Sequence, residues 1–185
     1  MLNKKQTNEC IEVMQQMYPD AHCELVHANP FELVIAVALS AQCTDVLVNR
    51  VTAKLFQKYK TPEDYLKVSL EELQQDIRSI GLYRNKAKNI QKLCELLIRD
   101  YNGEVPADRD ELTKFPGVGR KTANVVVSVA FGIPAMAVDT HVFRVSHRLE
   151  LVTKKDDTPY KVEQVLVKNI PAEDTQRIAY ILQQV

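Results

Sequence analysis

The sequence predicts an all-α fold, and three observations carry that expectation. Apolar residues recur at three- and four-residue spacings along most of the chain. Helix-capping residues stand at the heads of these segments, as in Asn29-Pro30, Thr61-Pro62, Ser69-Leu70 and Thr158-Pro159. Only 5 glycines occur in 185 residues, which disfavours a turn-rich β architecture.

The elements follow in order. A first helix carries Cys10, Met14 and Met17 on one face and stops near Pro19-Asp20. Asn29-Pro30 reads as an N-cap and first-turn pair that opens a nearly all-apolar helix from Phe31 to Ser40. Leu47, Val51 and Leu55 step by four along the next helix. Thr61-Pro62-Glu63-Asp64 and Ser69-Leu70-Glu71-Glu72 both resemble capping boxes. Gly81 is expected to close the second of these helices in the left-handed conformation. A longer helix buries Ala87, Ile90, Leu93, Cys94, Leu97 and Tyr101 and ends at Asn102-Gly103.

Asp108 then caps a short helix running to about Lys114, before the tight turn Pro116-Gly117-Val118-Gly119. The segment Arg120 to Phe131 is rich in β-branched residues and on propensity alone suits a strand. Its length, its lack of alternation and the stop residues Gly132 and Pro134 predict a helix instead. Val138, Val142, Val145 and Leu149 define another helical face, and Thr158-Pro159 and Pro171 begin two more helices.

Composition sets broad limits. Lys and Arg total 24, matched by 24 Asp and Glu, which excludes a strongly basic nucleic-acid coat but not a local basic face. One such stretch lies between residues 76 and 92, where Arg78, Arg84, Lys86, Lys88 and Lys92 face the single acid Asp76. It reads either as a solvated helix face or as a set of contacts to a phosphate backbone. No apolar stretch is long enough to span a membrane, and the N-terminus lacks the apolar core of a signal peptide, so the expected location is cytoplasmic. Cys10, Cys23, Cys43 and Cys94 form neither a CxxC nor a zinc pattern and read as reduced, mostly buried thiols. No linker composition separates two domains.

The most informative stretch is Leu112 to Val127, a short helix, a hairpin and a second helix. Two glycines in a tight turn let backbone approach another surface closely. The turn opens onto a helix N-terminus, whose unpaired N–H groups favour an anion, and Arg120 and Lys121 add positive charge. This is either a phosphate grip or a plain αα-hairpin with solvated cations. Asp139 lies 18 residues beyond Lys121 and reads locally as an N-cap, or as a carboxylate held for catalysis. A lysine amine attacks a sugar carbon only when neutral, so such chemistry requires a lowered pKa.

The segment Phe115-Pro116-Gly117-Val118-Gly119-Arg120-Lys121-Thr122-Ala123-Asn124-Val125-Val126 resembles the helix-hairpin-helix of the endonuclease III family of DNA glycosylases. Ala137-Val138-Asp139-Thr140-His141-Val142-Phe143-Arg144-Val145 resembles that family's aspartate segment. Leu39-Ser40-Ala41-Gln42-Cys43-Thr44-Asp45 and Ile80-Gly81-Leu82-Tyr83-Arg84-Asn85-Lys86-Ala87-Lys88-Asn89-Ile90 agree as well. Together these four blocks, in the family's order, make a specific match over roughly residues 10–170.

The resemblance implies an all-α fold of two helical lobes with an interlobe active-site cleft. One lobe covers 22–134, with the helix-hairpin-helix at about 109–131. The other is discontinuous, 1–21 plus 135–185. It further implies a base excision repair enzyme, a DNA N-glycosylase for oxidised pyrimidines that is also an abasic-site lyase. Lys121 takes the position of the Schiff-base nucleophile and Asp139 that of its carboxylate. Gln42 and Leu82 match residues that enter the duplex, although locally they also read as a helix cap and as core. Gly117, Val118, Gly119 and Arg120 match the phosphate grip, and His141 a position at the catalytic mouth near the DNA backbone.

The implied partner is double-stranded DNA bearing damaged pyrimidines or abasic sites, bound by a monomer with no membrane. No step of this chemistry requires a metal. The family's [4Fe–4S] cluster needs C-terminal cysteines, and no cysteine follows Cys94, so these residues support no cofactor. Thr113 stands where some relatives carry a glutamate. Two alternatives stay open, a monofunctional glycosylase of the same superfamily and a catalytically impaired helix-hairpin-helix DNA-binding protein. Lys121 distinguishes the first, and the pair Lys121 and Asp139 favours an enzyme over the second.

Overall fold

A computed structural model describes residues 1–185 as eleven α-helices without strands. They are α1 (Lys4–Met17), α2 (Pro30–Ser40), α3 (Asp45–Lys58), α4 (Pro62–Leu66), α5 (Leu70–Asp76) and α6 (Tyr83–Tyr101). α7 (Arg109–Leu112), α8 (Arg120–Phe131), α9 (Thr140–Arg148), α10 (Pro159–Asn169) and α11 (Thr175–Gln184) complete the chain. No helix is long and apolar enough to cross a membrane. The helices sort into two compact units, Glu24–Val126 and Met1–Cys23 with Val127–Val185, the second division falling inside α8.

In the unit Glu24–Val126, α6 is the central strut. α2, α4 and α5 pack against it, and α3 packs on α2. Leu33, Ile35, Leu39, Val48, Leu73, Ile77, Ile80, Ile90, Leu93 and Leu97 are fully buried. Tyr59 stacks on Tyr65 with ring centroids 4.7 Å apart. The start of α2 forms as its sequence dictates. Asn29 accepts the Glu32 N–H at 2.9 Å, Pro30 occupies the first turn, and Glu32 reaches back to the Ala28 N–H at 2.6 Å.

The two expected capping boxes form unequally. At α4, Asp64 accepts the Thr61 N–H at 3.1 Å and the Lys60 N–H at 2.9 Å. At α5, Ser69 caps the Glu72 N–H at 3.1 Å, but the Glu72 carboxylate pairs instead with Lys58 at 2.8 Å. The left-handed closure expected at Gly81 falls one residue later, on Leu82, with φ 58°. α5 has already ended at Ile77, and Leu82 is instead the N-cap of α6. At the far end of α6, Asn102 and Gly103 are both left-handed, and the Gly103 N–H returns to the Leu97 carbonyl at 2.9 Å. The β-branched run of α8 is helical, with Val126 and Val127 buried.

The other unit is built on α1, α9, α10 and α11, with α11 packed on α1 and α9, and α10 on α9. Its core gathers Ile11, Met14, Val142, Val145, Leu151, Val162, Leu166, Ile178 and Leu182. α1 starts with a reciprocal cap, Asn3 and Gln6 each accepting the other's backbone N–H at 3.0 Å. Its buried stripe runs through Thr7, Ile11 and Met14 and continues onto Tyr18. Met17, expected on that face, is 65% exposed, because the stripe advances by four residues from Met14 and not by three. Pro171 opens a turn, not a helix, and α11 begins at Thr175. The Asp174 carboxylate there accepts from the Gln15 amide at 2.7 Å, tying α11 to α1.

Candidate active site and nucleic-acid interface

The sequence-predicted residues of the first unit lie on three neighbouring pieces of backbone. The first is the exit of α2. The Ser40 hydroxyl donates to the Val37 carbonyl at 2.8 Å, and the chain leaves the helix at Ala41. Gln42 follows, exposed, with φ 56°. The second is the entry to α6, where Leu82 is 59% exposed. A left-handed conformation costs a residue with a β-carbon roughly 1–2 kcal/mol. Both residues matched to duplex entry therefore present their side chains to solvent from strained backbone. Neither is a core residue nor a helix cap made by its side chain. The two turns are adjacent, since a Cβ placed on Gly81 would lie 3.9 Å from the Gln42 carbonyl oxygen.

Lys86 joins these two turns. It belongs to the cationic stretch of residues 76–92, but it is only 7% exposed. Its ammonium donates to the Leu39 carbonyl at 3.0 Å and the Ala41 carbonyl at 2.6 Å, at the open C-terminus of α2. Burial lowers its pKa from the usual lysine value, and Cys43 opposes that shift. A signal for this placement existed, because Lys86 is in step with the buried stripe Ile90, Leu93 and Leu97. Arg78, Arg84, Lys88 and Lys92 are exposed, which fits a solvated helix face as well as contacts to a phosphate backbone.

The third piece is the hairpin between α7 and α8. Asp108 caps α7 by accepting the Glu111 N–H at 2.9 Å, and the helix ends at Leu112, before the expected Lys114. Phe115 is buried against Tyr101, ring centroids 5.1 Å apart. Gly117 is left-handed at φ 78°, and a Cβ there would meet the Asn89 side chain at 3.1 Å. α6 thus presses Asn89 against the hairpin one turn beyond Lys86. The Val118 side chain is buried and its N–H donates to the Phe115 carbonyl at 3.1 Å within the turn. The N–H groups of Gly117 and Gly119 make no bond of this kind. Thr113 is exposed and its hydroxyl donates to the Asp110 carbonyl at 2.8 Å.

Arg120 and Lys121 open α8, with Lys121 exposed and Arg120 half-buried. Lys121 has an electrostatic neighbour that sequence reasoning did not single out. Burial pushes the Asp45 carboxyl up, Glu24 adds to the rise, and the Lys121 ammonium opposes it. Asp45 opens α3, three residues beyond Gln42.

In the other unit, Asp139 is the N-cap of α9. Its carboxylate accepts the Val142 N–H at 2.7 Å. His141 is half-buried in the first turn, its Nδ1 3.3 Å from the Arg144 guanidinium. Among residues 1–185 no three Cys, His, Asp or Glu side chains gather to hold a metal ion. Cys10, Cys23, Cys43 and Cys94 are free thiols.

α7, the hairpin and α8 form a helix-hairpin-helix with Lys121 in the first turn of its second helix. Residues 35–172 match the HhH-GPD superfamily of base excision DNA repair proteins. The chain is 70% identical over 174 residues to the endonuclease III of Bacillus subtilis strain 168, spanning 94% of this chain and 79% of that protein. It is 48% identical over 172 residues to the endonuclease III of Escherichia coli K12, spanning 93% and 81%. A solved endonuclease III–DNA covalent intermediate, trapped in an estranged-adenine complex, matches with a TM-score of 0.93. That match has 66% identity over 99% of this chain and 85% of that one. The chain belongs to the endonuclease III family within this superfamily.

Proposed function

We propose that the protein excises oxidised pyrimidines from duplex DNA and then cleaves the abasic strand. The observation that carries this reading is Lys121, exposed at the head of α8 directly after the hairpin. The hairpin amides and Arg120 grip phosphate, which positions the protein without reading sequence. Gln42 and Leu82 enter the duplex and fill the space left when the damaged nucleotide turns out. Flipping costs a few kcal/mol, less for a lesion that stacks poorly. We place this action in the cytoplasm, on the nucleoid, by a single chain.

The chemistry follows from a lysine and a carboxylate acting on one sugar. Lys121 Nζ forms a bond to C1′, and the base leaves with the electron pair of the glycosidic bond and takes a proton from solvent. C1′–O4′ then breaks, O4′ takes the proton shed by the lysine, and the sugar ring opens to a protonated imine, which acidifies the C2′ proton. Loss of that proton drives β-elimination, the C3′–O bond breaks, and the 3′ phosphate departs. Asp139 takes the role of the activating carboxylate and offsets positive charge at the sugar. His141, in the first turn of α9, contacts the DNA backbone.

A thymine glycol duplex tests the reading. Release of free base together with a strand ending in an unsaturated aldehyde is expected. Base release without strand cleavage means a monofunctional glycosylase. Duplex binding with neither product means a binding protein only.

A further inference from the structure

We propose that Lys86 is a positioning residue that locks Gln42 and Leu82 into one rigid wedge. The inference rests on the reading above, in which both residues enter the duplex. Lys86 bonds to both turns. Its ammonium holds the Ala41 carbonyl at 2.6 Å, one residue before Gln42, and the Leu39 carbonyl at 3.0 Å. Its backbone N–H donates to the Leu82 carbonyl at 3.0 Å, closing the first turn of α6. Gln42 and Leu82 themselves are exposed and left-handed, with φ 56° and 58°, so neither turn is held by its own side chain.

Residues in such a conformation persist only where their surroundings over-determine them. The buried ammonium supplies that constraint on the Gln42 side, and the backbone N–H of the same residue supplies it on the Leu82 side. A wedge that opens a base stack must be ordered before contact, because ordering it on binding consumes affinity. An exposed lysine would do none of this. Lys86, 7% exposed and bonded to two carbonyls, is placed for it and is removed from phosphate contact.

The experiment compares Lys86→Met with the unaltered protein on two substrates. One is a duplex with an abasic site opposite 2-aminopurine. The other is the same abasic strand unpaired, where no stack needs opening. Borohydride trapping reads imine formation, and 2-aminopurine fluorescence reads unstacking of the opposite base. Lys86→Met is expected to trap the single strand within about threefold of the unaltered protein. On the duplex it is expected to lose tenfold or more in trapping rate, together with the fluorescence rise. Adding Gln42→Ala to Lys86→Met is expected to change little further, because the wedge is already lost.

Duplex trapping and fluorescence that survive Lys86→Met overturn the proposal. Equal losses on both substrates overturn it too, since they describe a general defect. If Lys86→Met does not fold, the same comparison with Lys86→Gln decides, since the amide keeps a donor but no charge. Failure of the unaltered protein to trap even the single strand would instead refute the lysine chemistry on which the inference rests.

Discussion

The Asp139 carboxylate accepts the Val142 N–H at 2.7 Å, so the acid assigned to catalysis also caps α9. The two roles separate by substitution. Asparagine caps a helix about as well as aspartate, so Asp139→Asn is expected to keep stability within about 0.5 kcal/mol. Its turnover is expected to fall by about 10² or more, the usual scale of a lost acid–base group. Asp139→Ala should lose about 1 kcal/mol of stability as well. Melting curves and single-turnover rates check both. Full turnover in Asp139→Asn would leave the residue as a cap alone.

Gly117 and Gly119 look alike in sequence but differ in space. Gly117 has φ 78° and faces Asn89 at 3.1 Å, whereas a Cβ on Gly119 would meet nothing within 4 Å. Gly117→Ala is expected to destabilise by about 1–3 kcal/mol. Gly119→Ala is expected to cost under about 1 kcal/mol. Denaturant titration of both variants measures the difference, and equal losses would contradict the geometry.

The exposed cations of α6 should register in the salt dependence of binding. On undamaged duplex, Arg84→Ala and Lys88→Ala are each expected to reduce the slope of log K against log salt by about 1. Lys86→Met is expected to leave the slope unchanged, because that ammonium is held by two carbonyls. Fluorescence anisotropy over a salt series reads all three.

Asp45 sets a pH signature. Its folded pKa is raised, chiefly by burial, so the ionised form is disfavoured in the native state. That penalty is fully present above the folded pKa and vanishes as pH falls below the unfolded value. Asp45→Asn is therefore expected to raise the melting temperature at pH 7 and to show no such gain near pH 3. A melting temperature lowered at pH 7 would contradict the assignment.

The parts of this molecule that were legible in sequence are those set locally. Asn29-Pro30, Asp108, Asp139 and Thr158-Pro159 all cap helices, because a cap needs only its own next three residues. What escaped was set at a distance. The left-handed residue is Leu82 and not Gly81, because the turn is fixed beside Gln42, far away in sequence. Lys86 reads as one of five surface cations until the end of α2 arrives above it. The catalytic assignment is of a third kind. Asp139 reads locally as a cap and is a cap, and Lys121 reads as a first-turn cation, so only the family resemblance marks the pair.

The most direct test of the account is the identity of the trapped amine. The protein is incubated with an abasic-site duplex, reduced with borohydride and digested, and the DNA-linked peptide is sequenced by mass spectrometry. The adduct is expected on Lys121 and is expected to be lost in Lys121→Ala, a variant expected to bind duplex still through the hairpin amides and Arg120. An adduct on another amine, or undiminished trapping by Lys121→Ala, would contradict the account.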